Sequence, residues 1–247
     1  YLIPLPGTIV VIPTYNEQAN IVAMIAAVLD TPDNFHLLII DDNSPDGTAL
    51  DVEKLQPKYP DRLFLHKRSG KLGLGTAYIT GFKWALDHGY DFIIEMDADF
   101  SHKPADLPRL KATCEAGADV AIGSRYVKSG RVEDWPLNRI LLSKGASLYV
   151  RLITGIHVKD TTAGFVCYKR AVLEKIDLDK IKFIGYAFQI ELKFAAWKCK
   201  FKLKEIPIVF KDREKGVSKM SKGIFKEAVL GVIKMKWNSF SDSYVKQ

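Results

Sequence analysis

The stretch FIIEMDADFSH, from Phe92 to His102, decides how this chain folds around its chemistry. An apolar run typical of a buried strand ends in two carboxylates, Asp97 and Asp99. Because side chains alternate faces along a strand, we expect residues two positions apart to point the same way and to reach one cation together. Hard oxygen ligands on few protein positions suit Mg²⁺ or Mn²⁺ that still carries substrate phosphates. The pattern predicts a divalent metal site, and a solvated strand end with two loop acids is the plain alternative.

The composition indicates one α/β domain or two small ones. The 247 residues are 47% hydrophobic, which is enough to bury a full core. The longest apolar run, Ile21–Leu29, is far shorter than the roughly 18 residues needed to span a bilayer. The three cysteines lie far apart without the spacing of a metal site, and one of them is necessarily unpaired. A reduced, cytoplasmic setting is therefore expected.

The net charge of +7 hides a difference between the two halves of the chain. Residues 1–120 hold 10 Lys and Arg against 17 Asp and Glu, and residues 121–247 hold 26 against 12. An acidic half beside a basic half favours metal chemistry in the first and anion handling in the second. The basic residues are spread among apolar helices without a recognised nucleic-acid motif, so no nucleic-acid partner is expected.

Strands and helices alternate through the first half of the chain. Strands are predicted at 8–12, 36–40, 62–66, 91–96 and 119–123, and helices at 20–29, 49–55 and 76–88. The second half predicts helices at 138–153, 186–198 and 223–237 and strands at 165–168 and 204–210. Continuous apolar strands between amphipathic helices imply a mostly parallel sheet covered on both faces. The sequence has no repeat and no clear linker, which favours a single domain.

Four consecutive strand ends carry polar, acidic or turn-forming residues: Pro13–Glu17, Asp41–Gly47, Lys71–Gly75 and Asp97–Asp99. In parallel sheets, ligands bind beyond the carboxyl ends of the strands. These segments therefore predict a binding crevice along one edge of the sheet. Lys71–Gly75 does not match a phosphate-binding loop, and the absence of Gly-x-Gly-x-x-Gly after the first strand disfavours a dinucleotide-binding dehydrogenase.

The segments at these strand ends carry a family resemblance. PTYNE at 13–17, DDNSPDGT at 41–48, KLGLG at 71–75 and DADFSHKP at 97–104 resemble the inverting family 2 glycosyltransferases, which have a GT-A fold. Further segments are GSRY at 123–126, WP at 135–136, SKG at 143–145, GYAFQIE at 185–191 and DREKGVSK at 212–219. Together they resemble the polyprenol-phosphate mannose synthases. The resemblance implies a GT-A domain at 1–222, followed at 223–247 by an amphipathic helix that packs on the domain or at a membrane surface.

The resemblance implies a donor site. The residues that would hold the nucleoside are Pro13, Tyr15 and Glu17, with Ile40 and Asp42 lining the base site. The residues that would face the metal and the diphosphate are Asp97, Ala98, Asp99, Arg213 and Lys219. Ser101 would be a third metal ligand beside the two acids, in a position where some relatives carry the longer Gln.

The resemblance also implies an acceptor site. Arg125, Arg139 and Ser143 would meet the phosphate of an acceptor lipid, because guanidinium forks bind phosphate through two hydrogen bonds. The catalytic set would be Asp99, Arg125, Arg139 and Arg213.

Some of these residues have a plainer interpretation. Glu17 could serve the first turn of a helix, where acids are favoured, and Asp46 with Gly47 fits a simple turn. Arg213 could pair with the neighbouring Asp212 on the surface. His102 is expected to be structural, because Mg²⁺ prefers oxygen ligands.

The implied activity is transfer of mannose from GDP-mannose to a polyprenyl (dolichyl) phosphate, with Mg²⁺ or Mn²⁺ and inversion to a β-linked product. UDP-glucose as donor, or a non-catalytic subunit that binds a sugar nucleotide or lipid, are the alternatives. The enzyme would lie peripherally at the cytoplasmic face of a membrane. The helix at 138–153 or the C-terminal helix would rest in the interface, unless both simply cover the sheet. A small membrane partner subunit is a further expectation.

Overall fold

A computed structural model describes residues 7–185, 187–212, 223–239 and 243–246. The strands are β1 (Thr8–Thr14), β2 (His36–Asp41), β3 (Leu63–Lys67), β4 (Phe92–Glu95), β5 (Val120–Ser124), β6 (Arg131–Glu133), β7 (Val166–Lys169), β8 (Leu203–Pro207) and β9 (Val209–Lys211). The helices are α1 (Gln18–Leu29), α2 (Thr48–Leu55), α3 (Leu74–Asp87), α4 (Leu107–Glu115), α5 (Leu137–Thr154), α6 (Arg170–Lys175), α7 (Phe188–Lys198) and α8 (Gly223–Asn238).

The main sheet has seven strands in the order β3-β2-β1-β4-β7-β5-β8. β1 runs parallel to β2 and β4, β2 to β3, and β5 to β8, whereas β7 runs antiparallel to both of its neighbours. β6 and β9 form a separate parallel pair. The predicted α/β fold, with a mostly parallel sheet flanked by helices, is confirmed.

The central strands are buried on both faces, which is why they form continuous apolar runs in the sequence. In β1, Ile9 and Val11 pack into one apolar cluster with residues of α3 and α7, and Val10 and Ile12 pack into another with residues of α1 and α4. None of these four side chains has any solvent exposure. Polar groups therefore concentrate where the strands end.

The structure differs from the prediction in the part of the chain that follows β4. The sequence pattern did not predict α4, whose buried residues are only Leu107, Leu110 and Cys114. The strand predicted at 204–210 is two strands, because Pro207 has no N–H with which to continue the ladder. The chain leaves the main sheet there and pairs with β6 instead.

The glycines before and within α3 allow another loop to approach closely. A Cβ at Gly73 would lie 2.9 Å from the carbonyl oxygen of Ile184, and a Cβ at Gly75 would lie 2.7 Å from that of Phe183. The N–H of Gly75 donates to the Ile184 carbonyl at 2.8 Å. These glycines of the Lys71–Gly75 segment therefore seat the 183–184 loop against α3.

α5 and α8 pack against each other and leave apolar side chains exposed. The exposed ones are Leu137, Leu141, Leu142, Leu148 and Leu152 of α5 and Leu230, Ile233 and Trp237 of α8. Val232 and Met235 of α8 are buried in the core. Within the described ranges, no helix combines the length and the apolar character that crossing a bilayer requires.

Two helical glycines predict opposite effects of the same substitution. Gly81→Ala would place a Cβ 2.4 Å from Cγ1 of the buried Val11, so we expect overpacking to lower the free energy of unfolding by about 1–3 kcal/mol. The Cβ added by Gly145→Ala in α5 has no neighbouring atom within 4 Å. This substitution should therefore raise the free energy of unfolding by roughly 0.5–1 kcal/mol, because alanine has the higher helix propensity. Urea unfolding measures both, and equal effects would contradict the packing of α3 on β1.

Candidate functional site

The carboxyl ends of β1 and β2 are joined by a buried aspartate. Asp41 accepts hydrogen bonds from the Thr14 hydroxyl at 2.9 Å and from the main-chain N–H and hydroxyl of Ser44 at 2.9 and 2.6 Å. The Ser44 hydroxyl oxygen in turn accepts from the N–H of Asn16 at 3.0 Å. The loops after the two strands are thereby held side by side at one edge of the sheet.

The loop before α2 is built by turn chemistry, as expected for Asp46 and Gly47. Asp46 Oδ1 accepts from the hydroxyl and N–H of Thr48 at 2.6 and 3.0 Å, and Oδ2 accepts from the N–H of Gln18 at 3.0 Å. Gly47 has φ +95°, which favours glycine. Asp46 and Gly47 therefore shape the wall of the crevice.

Three predicted donor-site residues lie at this wall. Pro13 and Tyr15 are half-buried, and the Lys71 Nζ stands 4.8 Å from the centre of the Tyr15 ring. Glu17 is the N-cap residue of α1, and its side chain makes no capping hydrogen bond to the main chain. Its Oε2 accepts instead from the side chain of Asn20 in the first turn, Nδ2 to Oε2 3.0 Å. Tyr15 with Lys71 offers a flat face beside a cation.

Asp42 lies in a nearly buried ion pair that the sequence did not predict. Arg68 Nε is 2.7 Å from Asp42 Oδ1, and Arg68 also donates to the Thr76 hydroxyl at 3.0 Å. Burial raises the pKa of Asp42, and the Arg68 charge opposes that shift. The prediction that the Ile40 side chain lines the base site is wrong, because Ile40 is fully buried in the core facing α3.

The two acids of the opening stretch do not lie on a strand. β4 ends at Glu95, and Asp97 and Asp99 follow in a turn in which Phe100 has φ +60°. The strand-alternation argument for their common direction is therefore wrong. The Asp97 side chain is 40% exposed, and its Oδ1 accepts from the Tyr78 hydroxyl at 3.4 Å. Asp99 is nearly buried and accepts from the N–H of Ser101 at 3.1 Å, and Ala98 between them is buried.

His102 supports the turn from beneath. Its ring stacks on Phe165 at 5.0 Å and meets Phe210 edge-on at 5.3 Å. Burial lowers the pKa of His102 to about 4, so the imidazole is neutral near pH 7. A buried neutral ring between two aromatic rings fits the structural role expected for it.

Arg125 is held in place by a buried carboxylate that lies 35 residues further along the chain. Its Nε and Nη2 donate to Asp160 at 2.7 and 2.6 Å, and Nη2 also donates to the Thr162 hydroxyl at 2.8 Å. Burial alone would lower the pKa of Arg125, but the Asp160 charge and, more weakly, that of Asp97 raise it overall. Arg125 is therefore a fixed cation that interacts electrostatically with Asp97.

Arg139 and Arg125 meet at the same aromatic ring. The guanidinium carbon of Arg139 is 3.8 Å from the centre of the Trp135 ring, and that of Arg125 is 5.5 Å from it. Arg139 is partly exposed and pairs with Asp212 at 3.0 Å. Ser143 lies one turn further along α5 and is half-buried. The structure thus brings two of the three predicted acceptor residues, Arg125 and Arg139, together beside Trp135, which the sequence singled out only as part of a motif.

A carboxyl group and an amino group, those of Glu95 and Lys193, are also buried beneath the crevice. Lys193 of α7 is fully buried, and its Nζ donates to the carbonyl oxygens of Ala163 and Gln189 at 2.6 and 2.8 Å. Burial raises the pKa of Glu95 to about 8 against the opposing charge of Lys193, and burial lowers the pKa of Lys193 to about 8. Sequence reasoning missed both groups, because a lysine on a helix and an acid in a strand carry no local sign of burial.

The remaining predicted residues divide into two groups. Arg213 and Lys219 lie outside the described residues. The segment at 185–191 has a structural role where it is described: Phe188 stacks on Tyr78, and Glu191 Oε2 accepts from the N–H of Lys182 and Phe183 at 2.8 and 2.9 Å.

The family model described as "Glycosyl transferase family 2" matches residues 9–177. The chain is 47% identical over 229 residues to polyprenol monophosphomannose synthase of Mycolicibacterium smegmatis, covering 93% of this chain and 86% of that protein. It is 43% identical over 222 residues to undecaprenyl-phosphate mannosyltransferase of Micrococcus luteus, covering 90% of each.

A solved structure shows the same fold. Glucosyl-3-phosphoglycerate synthase from Mycobacterium tuberculosis, in complex with Mn²⁺, UDP-glucose and glycerol 3-phosphate, matches with a TM-score of 0.66 and 16% identity. The match covers 95% of this chain and 80% of that one.

The Arg125–Asp160 pair predicts a large effect on stability. Asp160→Asn leaves a buried guanidinium without its counter-charge, and we expect the free energy of unfolding to fall by about 3–5 kcal/mol. The control is Asp179→Asn, which removes the exposed partner of Lys83 and should cost no more than about 1 kcal/mol. Thermal and urea unfolding measure the difference, and two equally small changes would show that Arg125 does not depend on Asp160.

Proposed function

We propose that this chain, which belongs to glycosyl transferase family 2, moves mannose from GDP-mannose to a polyprenyl phosphate. The transfer inverts the anomeric centre. The names of relatives at 43% and 47% identity, an undecaprenyl-phosphate mannosyltransferase and a polyprenol monophosphomannose synthase, support this class of sugar and acceptor. The observation that carries the proposal is one crevice with two carboxylates on one side and two arginines around Trp135 on the other.

The donor side of this crevice suits a sugar nucleotide. Tyr15, with the Lys71 ammonium above it, would stack against the nucleoside, and Glu17 would accept from ribose hydroxyls. Asp42, fixed by Arg68, would meet the base edge. Lys71 and Arg68 add two cations to this donor wall, so they also suit a donor that carries a diphosphate.

The donor set for a metal suits a hard divalent cation. Asp97 and Asp99 supply carboxylate oxygens two residues apart, and the described part of the chain holds no group of three or more His, Cys, Asp or Glu arranged for a metal. Two carboxylates leave the other positions to diphosphate oxygens and water, as Mg²⁺ and Mn²⁺ accept. The bound cation would neutralise charge that develops on the leaving diphosphate. Ser101 stays a predicted further ligand.

The acceptor side supplies charge and position. An oxygen of the lipid phosphate would attack the anomeric carbon as the bond to the diphosphate breaks, so an α-linked donor gives a β-linked product. A phosphate monoester is already anionic, and a strong base is not needed. Arg139 would exchange Asp212 for the lipid phosphate, and Arg125, held by Asp160, would offset the repulsion between the two substrates. By resemblance, Arg213 and Lys219 would close over the diphosphate.

The membrane side of the proposal rests on α5. Arg139 and Ser143 lie one turn apart on this helix, and Leu141, Leu148 and Leu152, between 52% and 75% exposed, lie on another face. An amphipathic helix of this kind rests in the interface with its apolar face toward the acyl chains. The same helix would therefore bind the membrane surface and carry the residues that meet the acceptor phosphate.

The direct test is an assay of purified protein with labelled GDP-mannose or UDP-glucose, a polyprenyl phosphate and Mg²⁺. We expect labelled β-linked lipid phosphosugar from GDP-mannose. Product from UDP-glucose alone would replace the donor and keep the enzyme class. Binding of nucleotide without any product, in the presence of a membrane fraction as well, would indicate a non-catalytic subunit.

The two carboxylates predict a loss of turnover without loss of fold. Asp99→Asn should lower kcat about 100-fold or more, because it removes charge next to the leaving group, and excess chelator should abolish activity of the wild type. Asp179→Asn is the matched acid-to-amide control. Activity assays measure the loss of turnover, and melting curves show whether the fold is kept. Full activity of the wild type in excess chelator would refute the metal role.

The exposed leucines predict membrane attachment. Replacement of Leu141, Leu148 and Leu152 together by Glu should lower vesicle binding at least tenfold, since each buried leucine contributes about 1.5–3 kcal/mol. Leu50→Glu, at an exposed leucine of α2, is the control and should bind as the wild type. Flotation with liposomes measures the binding. If the wild-type protein floats only when a membrane fraction is added, attachment depends on a partner subunit.

A further inference from the structure

A second cavity lies between α7, α8 and the segment 243–246, and none of its lining residues belongs to the crevice. Its volume is about 410 Å³, within the range of pockets that hold small ligands. Phe183, Met235 and Tyr244 form an apolar floor, and Lys180, Lys182 and Lys234 line it as well. The Lys180 Nζ donates to the carbonyl oxygen of Ser243 at 3.0 Å. We call this cavity the lysine pocket. An apolar floor beside three lysines suits an anion that carries an apolar tail.

The one acid among the described lining residues is already occupied by protein donors. Glu191 Oε2 accepts from the N–H of Lys182 and Phe183, and Oε1 accepts from the Tyr244 hydroxyl at 3.1 Å. The residue is 3% exposed, and burial raises its pKa. No carboxylate of the described chain forms a salt bridge with Lys182 or Lys234. Glu191 offsets at most one of the three lysine charges, so the described lining of the pocket keeps a net positive charge.

The pocket opens beside the apolar face of α8. Leu230 lines it and is 61% exposed, and Ile233 and Trp237 continue the exposed face along the same helix. An acyl chain leaving the pocket would therefore pass onto apolar surface rather than into water. The lipid phosphate of the transferase reaction must reach Arg139 in the crevice, so the acceptor is not the occupant.

We propose that the lysine pocket binds the phosphate headgroup of an anionic glycerophospholipid of the membrane, with the first part of an acyl chain on the apolar floor. This inference rests on the proposed membrane position of α5 and α8. It adds a site for a lipid that is neither donor nor acceptor, and it gives the enzyme a preference for anionic membranes.

The experiment titrates the full chain with dihexanoyl phosphatidylglycerol below its micelle concentration, followed by calorimetry. This probe needs no bilayer, so it separates the pocket from membrane attachment. We expect one site, at least about tenfold weaker in Lys182→Gln/Lys234→Gln, because the double variant lacks two of the charged donors available to the phosphate. Lys54→Gln/Lys58→Gln removes the same charge from exposed positions and should leave binding unchanged. Equal losses in both pairs, or binding without a defined stoichiometry, would overturn the proposal.

A second variant fills the cavity and leaves its charge unchanged. Asn238→Trp should weaken binding of the phosphatidylglycerol probe, because the indole would occupy the space of the acyl chain. Flotation then compares phosphatidylcholine vesicles that carry equal fractions of phosphatidylglycerol or polyprenyl phosphate. Wild type should float with both kinds of vesicle. Both pocket variants should lose binding to the phosphatidylglycerol vesicles alone, while keeping transfer to a detergent-solubilised acceptor. If the variants lose binding only to the polyprenyl phosphate vesicles, the pocket is an acceptor site and the proposal is wrong.

Discussion

The buried ion pair between Arg125 and Asp160 is the interaction that ties the basic side of the crevice to the sheet. Arg125 follows β5, Asp160 precedes β7, and the N–H of Asp160 is held at 2.9 Å by Glu205 of β8. Two charges leave water here without a large penalty because the guanidinium fork, the Thr162 hydroxyl and the N–H of Arg125 complete the hydrogen bonds. Asp160 thereby links the ends of three neighbouring strands, through its carboxylate to Arg125 and through its N–H to Glu205, and it fixes the cation that interacts with Asp97.

The direction of β7 makes this pair possible, and the sequence could not reveal it. Because β7 runs antiparallel to β4 and β5, the segment that enters it lies at the same edge as the segments that leave its neighbours. Phe165 can then stack on His102, and Ala163 can accept from Lys193. Periodicity predicted a strand at 165–168, but four apolar residues carry no sign of direction. The long parallel first half, in contrast, was predictable because each strand and helix has its own strong pattern.

The sequence identified charged groups of the site better than their partners. Asp42, Asp97, Asp99, Arg125 and Arg139 all lie in or beside the crevice, although a turn rather than a strand places the metal-site acids. Arg68, 26 residues from Asp42, and Asp160, 35 residues from Arg125, escaped prediction because ion pairs between distant segments have no period. Ile40 failed for a related reason, since its motif position lies next to the site while its side chain points into the core.

The proposed membrane position of α5 can be compared with the dimensions of a bilayer. A helix with its side chains is about 10–12 Å across, and an interfacial helix lies about 5–10 Å deep at the boundary of headgroups and acyl chains. With Leu148 and Leu152 toward the acyl chains, Arg139 on another face of the same helix would stand near the level of lipid phosphates. A polyprenyl phosphate would then not have to leave the membrane to react. Only the water-soluble donor would have to reach that level, at the crevice beyond the carboxyl ends of β1, β2 and β4.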